Sequence, residues 1–104
     1  MNVQQVIEKI STMPTSSPIG SLNIEFVIDT KKLFIKDVKA GTDTMIIEVT
    51  RKQFRPFKAE EFKNILNVAS SHLECQVINL DANGAQKNIT DFFATNHAIE
   101  ISVE

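Results

Sequence analysis

Residues 22 to 50 decide the fold, and they read LNIEFVIDTKKLFIKDVKAGTDTMIIEVT. β-Branched and aromatic residues dominate three runs in this stretch, at positions 23–28, 33–36 and 45–49. Turn-forming residues separate the runs, at positions 29–32 and 40–43. Such a pattern is typical of strands joined by tight turns, so the stretch predicts a three-stranded meander.

The first turn predicts the register of a hairpin. A two-residue loop at positions 30–31 would set Glu25 opposite Lys36 and Ile28 opposite Leu33. Opposite charges and apolar pairs across a ladder each stabilise it by roughly 0.2–1 kcal/mol, which favours this register.

Apolar side chains occupy both faces of the predicted sheet. One face carries Ile24, Phe26, Ile28, Leu33 and Ile35, and the other carries Val27, Phe34 and Val38. A sheet that is apolar on both sides has to be covered on both sides. One helix covers one face, so we expect the second cover to be another helix, the other half of the chain or a partner subunit.

Two helices flank these strands in the sequence. The first has apolar residues at i, i+3, i+4 and i+7, namely Val3, Val6, Ile7 and Ile10, and should end before Pro14. The second has an apolar stripe made of Phe62, Ile65, Leu66, Ala69 and Leu73. Both stripes predict amphipathic helices that pack on the sheet.

The second half of the chain also predicts strands. Residues 74–80 form one, and Asn83-Gly84 indicates a tight hairpin that would set Ile78 opposite Ile89. Residues 90–94 fit either a strand end or one helical turn. The last segment alternates apolar and polar residues, with Ile99, Ile101 and Val103 on one side, and predicts a half-exposed strand.

These elements predict an α+β fold in which two helices pack on a mainly antiparallel sheet of five or six strands. The length of 104 residues suits a single domain spanning residues 1–104. Residues 37–49 align with residues 91–103, with four identities: Asp37 with Asp91, Ala40 with Ala94, Ile47 with Ile101 and Val49 with Val103. Val27-Ile28 aligns with Val77-Ile78 if four residues are added near the turn at 81–84. The alignment indicates either an internal α-β-β-β repeat, with halves 1–51 and 58–104, or two independent units that look alike.

Composition excludes several classes of protein. A net charge of −2 argues against a globally basic nucleic-acid binder. No apolar run approaches the roughly 20 residues of a membrane-spanning helix, and the N-terminus does not resemble a signal peptide. A single cysteine cannot form an internal disulfide, so we expect a reducing, cytoplasmic compartment.

Residues that carry chemistry are sparse. His72, Cys75 and His97 have side chains that bind zinc, but their spacing matches no familiar zinc site. A Cys–His nucleophile lacks a third group to orient it, and Cys75 suits a small buried apolar residue better. We therefore expect no catalytic residues, no metal and no cofactor.

Residues 51–58 carry the strongest charge anomaly, because four of the eleven Lys and Arg residues lie in these eight positions. The six candidate partner-binding residues are Arg51, Lys52, Phe54, Arg55, Phe57 and Lys58. The simplest interpretation is a basic linker whose two Phe rings anchor it in the core. The alternatives are an anionic protein or ligand partner, and a nucleic-acid backbone with stacked bases.

We expect a small non-catalytic protein that binds a protein partner and self-associates as a homodimer or larger homo-oligomer. The two apolar sheet faces motivate this expectation. Regulatory, inhibitor, immunity and accessory proteins of bacteria or their phages fit it. One alternative is a weak nucleic-acid-associated protein that uses residues 51–58. Another is a ligand binder or enzyme whose site forms at a subunit interface.

Overall fold

The computed structural model describes residues 1–14, 18–52 and 57–104. Two α-helices lie within these residues: α1 (Val3–Thr12) and α2 (Ala59–Asn67). Six strands accompany them: β1 (Asn23–Ile28), β2 (Lys31–Ala40), β3 (Thr44–Thr50), β4 (Glu74–Asn79), β5 (Ala85–Ala94) and β6 (Ala98–Val103). The predicted α+β class is confirmed, and the structure has six strands where five or six were predicted.

The six strands close into a barrel in the order β1 to β6, with β6 hydrogen-bonded to β1. This closure goes beyond the sequence-based expectation of a sheet. Neighbouring strands are antiparallel except that β3 lies parallel to β4 and β6 lies parallel to β1. Consequently β1, β3, β4 and β6 run in one direction, and β2 and β5 run in the other. We call the end where the four strands begin the upper rim, and the end where they finish the lower rim.

The two longest strands, β2 and β5, each change neighbours along their length and each contain a bulge. β2 pairs with β1 through residues 31–33 and with β3 through residues 34–40, and its bulge lies just before Asp37. β5 passes in the same way from β4 to β6, with its bulge just before Asp91. The extra residue reverses which side chains face inward beyond it. Val38 is therefore partly buried against the core, and its predicted place on the outer face is wrong.

The two halves of the barrel share one pairing register. Adding 54 to the positions of the β2–β3 ladder reproduces the β5–β6 ladder, so that 35 opposite 49 becomes 89 opposite 103. β1 and β4 correspond at an offset of 51. Ile24 of β1 lies opposite Ile99 of β6, and Cys75 of β4 lies opposite Met45 of β3, which is the equivalent of Ile99. Val27 thus corresponds to Ile78 rather than Val77, and three residues are added between β4 and β5 instead of the predicted four.

Each helix is attached to the first strand of the other half. The amide of Cys75 on β4 donates to the carbonyl of Met1, over 2.9 Å, just before α1 begins. In the equivalent place, the amide of Ile24 on β1 donates to the carbonyl of Phe57, over 2.8 Å, just before α2 begins. Both helices therefore start at the upper rim, and they pack against each other.

Local signals define the helix ends. Asn2 Oδ1 accepts a bond from the amide of Gln5, and Gln5 Oε1 accepts one from the amide of Asn2, at 2.8 and 2.9 Å. This reciprocal cap satisfies two amides at the start of α1. α1 ends at Thr12, so its predicted end before Pro14 is confirmed. α2 ends at Asn67, so the predicted stripe is too long, although Leu73 is still buried beyond the helix.

Apolar side chains from both halves fill the barrel. The buried strand residues include Ile24, Phe26, Ile28, Leu33, Ile35, Met45, Ile47, Val49, Cys75, Val77, Ile89, Ile99, Ile101 and Val103. Phe62 of α2 is fully buried and meets Phe26 of β1 edge to face, with ring centroids 6.5 Å apart. The chain's own second half and its helices thus enclose one face of the first three strands. On the other face, Val27 and Phe34 are only partly buried, so a partner that covers this face stays a prediction.

Both predicted hairpin registers are wrong. Asp29 and Thr30 form the first turn with φ of 50° and 67°, a conformation that suits two-residue hairpin loops, and Ile28 pairs with Lys31. In the second hairpin a 3₁₀ turn at Leu80–Ala82 lengthens the loop, so position 78 lies opposite 86 rather than 89. Residues 90–94 are strand, which decides between the two predicted interpretations.

Candidate functional site

The basic segment is divided between the two rims of the barrel. Arg51 and Lys52 follow β3 at the lower rim and are exposed. Lys58 lies at the upper rim, where its Nζ donates to Asn23 Oδ1 over 2.7 Å, and Phe57 is partly buried against the core. The other two candidates, Phe54 and Arg55, lie outside the described residues. Within the described residues, therefore, these side chains do not form one continuous basic surface.

The zinc-type residues do not come together either. Cys75 is fully buried on β4, and burial raises the pKa of its thiol to about 11, which makes it a poor nucleophile. His72 and His97 are exposed in the turns before β4 and before β6. Across residues 1–14, 18–52 and 57–104, no three His, Cys, Asp or Glu side chains are grouped closely enough to hold a metal ion.

The most unusual surface lies on the outside of β5, β6 and β1. Phe93 on β5 is 66% exposed, directly opposite Glu100 on β6, and Glu100 lies directly opposite Glu25 on β1. Lys32 on β2 is close by, and Asp91 is exposed on the same side of β5. We call these five residues the Phe93 face.

Charges on the Phe93 face are unbalanced. The only cation among its five residues is Lys32, whose Nζ lies 3.3 Å from Glu25 Oε1 and 3.8 Å from Glu100 Oε2. Both glutamates are mostly covered, with side chains 17% and 24% exposed. Apart from its ion pair with Lys32, Glu25 Oε1 has no hydrogen-bond partner among the described residues. The face therefore has a formal charge of −2, next to an exposed aromatic ring.

The equivalent surface of the other half has different chemistry. At an offset of 54, Phe93 corresponds to Lys39 and Glu100 corresponds to Ile46, and these two also lie opposite each other. Lys39 Nζ lies 3.3 Å from Glu48 and 3.8 Å from Asp37, so its charge is balanced by two neighbours. The barrel architecture thus does not itself require an aromatic ring at this position.

A small cavity opens at the lower rim. Its volume is about 210 Å³, and it is lined by Ile28, Asp29, Lys31, Leu33, Arg51, Asn79, Asp81 and Ala82. Asp81 is fixed there, because its two carboxylate oxygens accept bonds from Thr50 Oγ1 at 3.0 Å and from the amide of Arg51 at 2.6 Å. The floor of the cavity is apolar, and charged residues of both signs lie around its opening.

Neither the Phe93 face nor the lower-rim cavity was expected from the sequence. The adjacent pair Phe92-Phe93 gave one usable signal, since neighbouring residues of a strand point to opposite faces. One ring of the pair had to face outward if residues 90–94 formed a strand. Which of the two did so depended on the bulge before Asp91.

Comparison with protein-family models, with curated proteins and with solved structures gives no significant match. Neither described helix is long and apolar enough to span a membrane.

Proposed function

We propose that this protein is a small non-catalytic protein-binding module, and that the Phe93 face is its binding surface. The exposure of Phe93 is the observation that carries the proposal. A large aromatic ring without a polar tip is normally buried, and aromatic residues are enriched at protein interfaces. Fully burying such a side chain against a partner contributes about 1.5–3 kcal/mol.

The charges define the kind of partner. Three carboxylates and one ammonium group lie on the same face as the ring, so the complementary surface carries Arg or Lys beside an apolar pocket. A basic protein segment of this kind meets Glu25, Glu100 and Asp91 while its apolar part covers Phe93. Because the attraction is between partly exposed charges, binding should weaken as salt rises.

Self-association remains a separate prediction. If two copies met at Phe93 about a two-fold axis, each would bring a net charge of −2 to the contact. Salt would then strengthen association by screening the repulsion, whereas it weakens binding to a basic partner. Sedimentation velocity at low and high salt therefore distinguishes the two kinds of contact.

Nucleic-acid binding through residues 51–58 is the weaker alternative. Arg51 and Lys58 lie at opposite rims, and Lys58 is already bonded to Asn23, so few basic groups meet one backbone. Titration with mixed single-stranded oligonucleotides at low salt tests it.

The matched halves also support an internal duplication, which we include in the proposal. The shared register is one support. The second is a local detail, because Asp37 and Asp91 each accept a bond from the next amide, at 2.9 and 2.8 Å. The same residue type performs the same task just beyond each bulge.

The test of the binding surface compares three immobilised proteins: wild type, Phe93→Ser and Val68→Ser. Val68 is 88% exposed at the end of α2 and lies outside the Phe93 face, so it controls for loss of any exposed apolar side chain. Partner proteins that bind to wild type and to Val68→Ser, but not to Phe93→Ser, are purified. Their affinity for the wild-type protein is then measured directly. Glu100→Gln should weaken the same complexes at low salt. Equal binding by Phe93→Ser and wild type contradicts the proposal.

A further inference from the structure

The barrel interior ends at the lower rim in a cavity with an apolar floor. Ile28 and Leu33 are inward-facing strand residues, only 6% and 2% exposed, and they line the cavity with Asn79. Small-molecule sites occur preferentially in such places, including the mouths of β-barrels. A volume of about 210 Å³ is below the range of drug-sized sites, so a fitting ligand is small.

Charged residues of both signs surround this floor. Lys31 and Arg51 are cationic and Asp29 and Asp81 are anionic. Within the described residues, the side chains of Asp29, Lys31 and Arg51 take part in no ion pair or hydrogen bond. Three charged side chains without a bonded partner among the described residues thus lie around an apolar depression.

From this arrangement we propose that the lower-rim cavity binds a free apolar α-amino acid in its zwitterionic form. The carboxylate of the ligand is bound by Lys31 and Arg51, and its ammonium group by Asp29 with help from Asp81. Its side chain covers Ile28 and Leu33. Arg and carboxylate match well because the guanidinium offers paired donors in one plane.

Other small ligands satisfy the cavity less well. A simple carboxylic acid would leave Asp29 unpaired beside its own negative charge. An amine would leave Lys31 and Arg51 unpaired, and a neutral apolar molecule would leave all three groups without partners. A zwitterion with an aliphatic side chain pairs both signs and covers the floor.

Four probes separate these contributions. Wild-type protein is titrated with L-leucine, with 4-methylpentanoate, which lacks the amino group, with 3-methylbutylamine, which lacks the carboxylate, and with glycine, which lacks the side chain. Binding is followed by calorimetry and by the backbone amide shifts of Asp29, Thr30 and Ala82. We expect leucine to bind with a Kd on the order of 1 mM, and each of the other probes to bind about tenfold more weakly.

Two variants test the charged residues. Asp29→Asn should preserve the fold, because asparagine also tolerates the positive φ of 50° found there. Arg51→Gln changes an exposed side chain after β3. Each variant should weaken leucine binding about tenfold.

The matched controls Asp43→Asn and Lys36→Gln alter exposed residues outside the cavity lining, and they should bind leucine like wild type. The proposal is overturned if leucine shifts no amide at the lower rim, or if 4-methylpentanoate or 3-methylbutylamine binds as tightly as leucine. It is also overturned if the two cavity variants bind leucine as the controls do.

Discussion

Replacing Phe62 with alanine should destabilise the protein by about 3–5 kcal/mol. The ring is fully buried where α2 meets the barrel, so its removal leaves a cavity between helix and strands. Its edge-to-face contact with Phe26 adds about 0.5–1.5 kcal/mol to the effect of area burial. Since a small domain is stable by about 5–15 kcal/mol, the loss is a large fraction of the total.

Urea unfolding followed by circular dichroism measures this change, because the chain has no Trp or Tyr to report by fluorescence. Phe62→Leu is the milder companion and should cost about 1 kcal/mol. Phe93→Ala is the matched control at an exposed ring, and should change stability by less than about 0.5 kcal/mol. If Phe62→Ala and Phe93→Ala lower stability equally, α2 does not pack on the barrel through Phe62 as described.

Asp81→Ala should lower the free energy of unfolding in urea by about 1–2 kcal/mol, because Thr50 and the Arg51 amide lose their acceptor. Replacing the exposed Asp43 with alanine should change it little. The thiol of Cys75 should resist iodoacetamide in the folded protein and react quickly in urea. The pKa of this thiol is raised from 9.0, its ordinary value, to about 11 in the folded protein. The unfolded chain therefore releases the proton at lower pH, and the free energy of unfolding should fall as the pH rises above 9. Urea unfolding at a series of pH values measures this fall. A circular permutant opened within residues 53–56 should fold to the same circular dichroism spectrum when six residues join Glu104 to Met1. Six residues also separate Thr50 from Phe57, the positions equivalent to Glu104 and Met1, and a two-residue linker should fail.

Much of the secondary structure could be predicted from local pattern. The i, i+3, i+4 spacing of Val3, Val6 and Ile10 indicated α1, and all three side chains are buried. Alternation in the last segment indicated β6, whose Ile99 and Ile101 are buried in the same way. These patterns depend only on residues that are close in sequence, so they can be recognised in a single sequence.

Closure of the barrel could not be predicted, because it depends on contacts between distant segments. β6 lies beside β1 in parallel, and nothing near Asn23 or Ala98 in the sequence indicates this neighbour. The bulge before Asp91 is equally hidden, since it adds a residue without a distinctive sequence. The candidate surface depends on both features: the bulge turns Phe93 outward, and closure brings Glu25 beside Glu100.

Attachment of each helix to the other half has a consequence for synthesis of the chain. When α1 leaves the ribosome, the strand that receives it has not been made, because Met1 bonds to Cys75, 74 positions later. α1 therefore cannot take its native position until β4 has been made. Contacts so distant in sequence slow folding, so the barrel should close only after β6 has been synthesised.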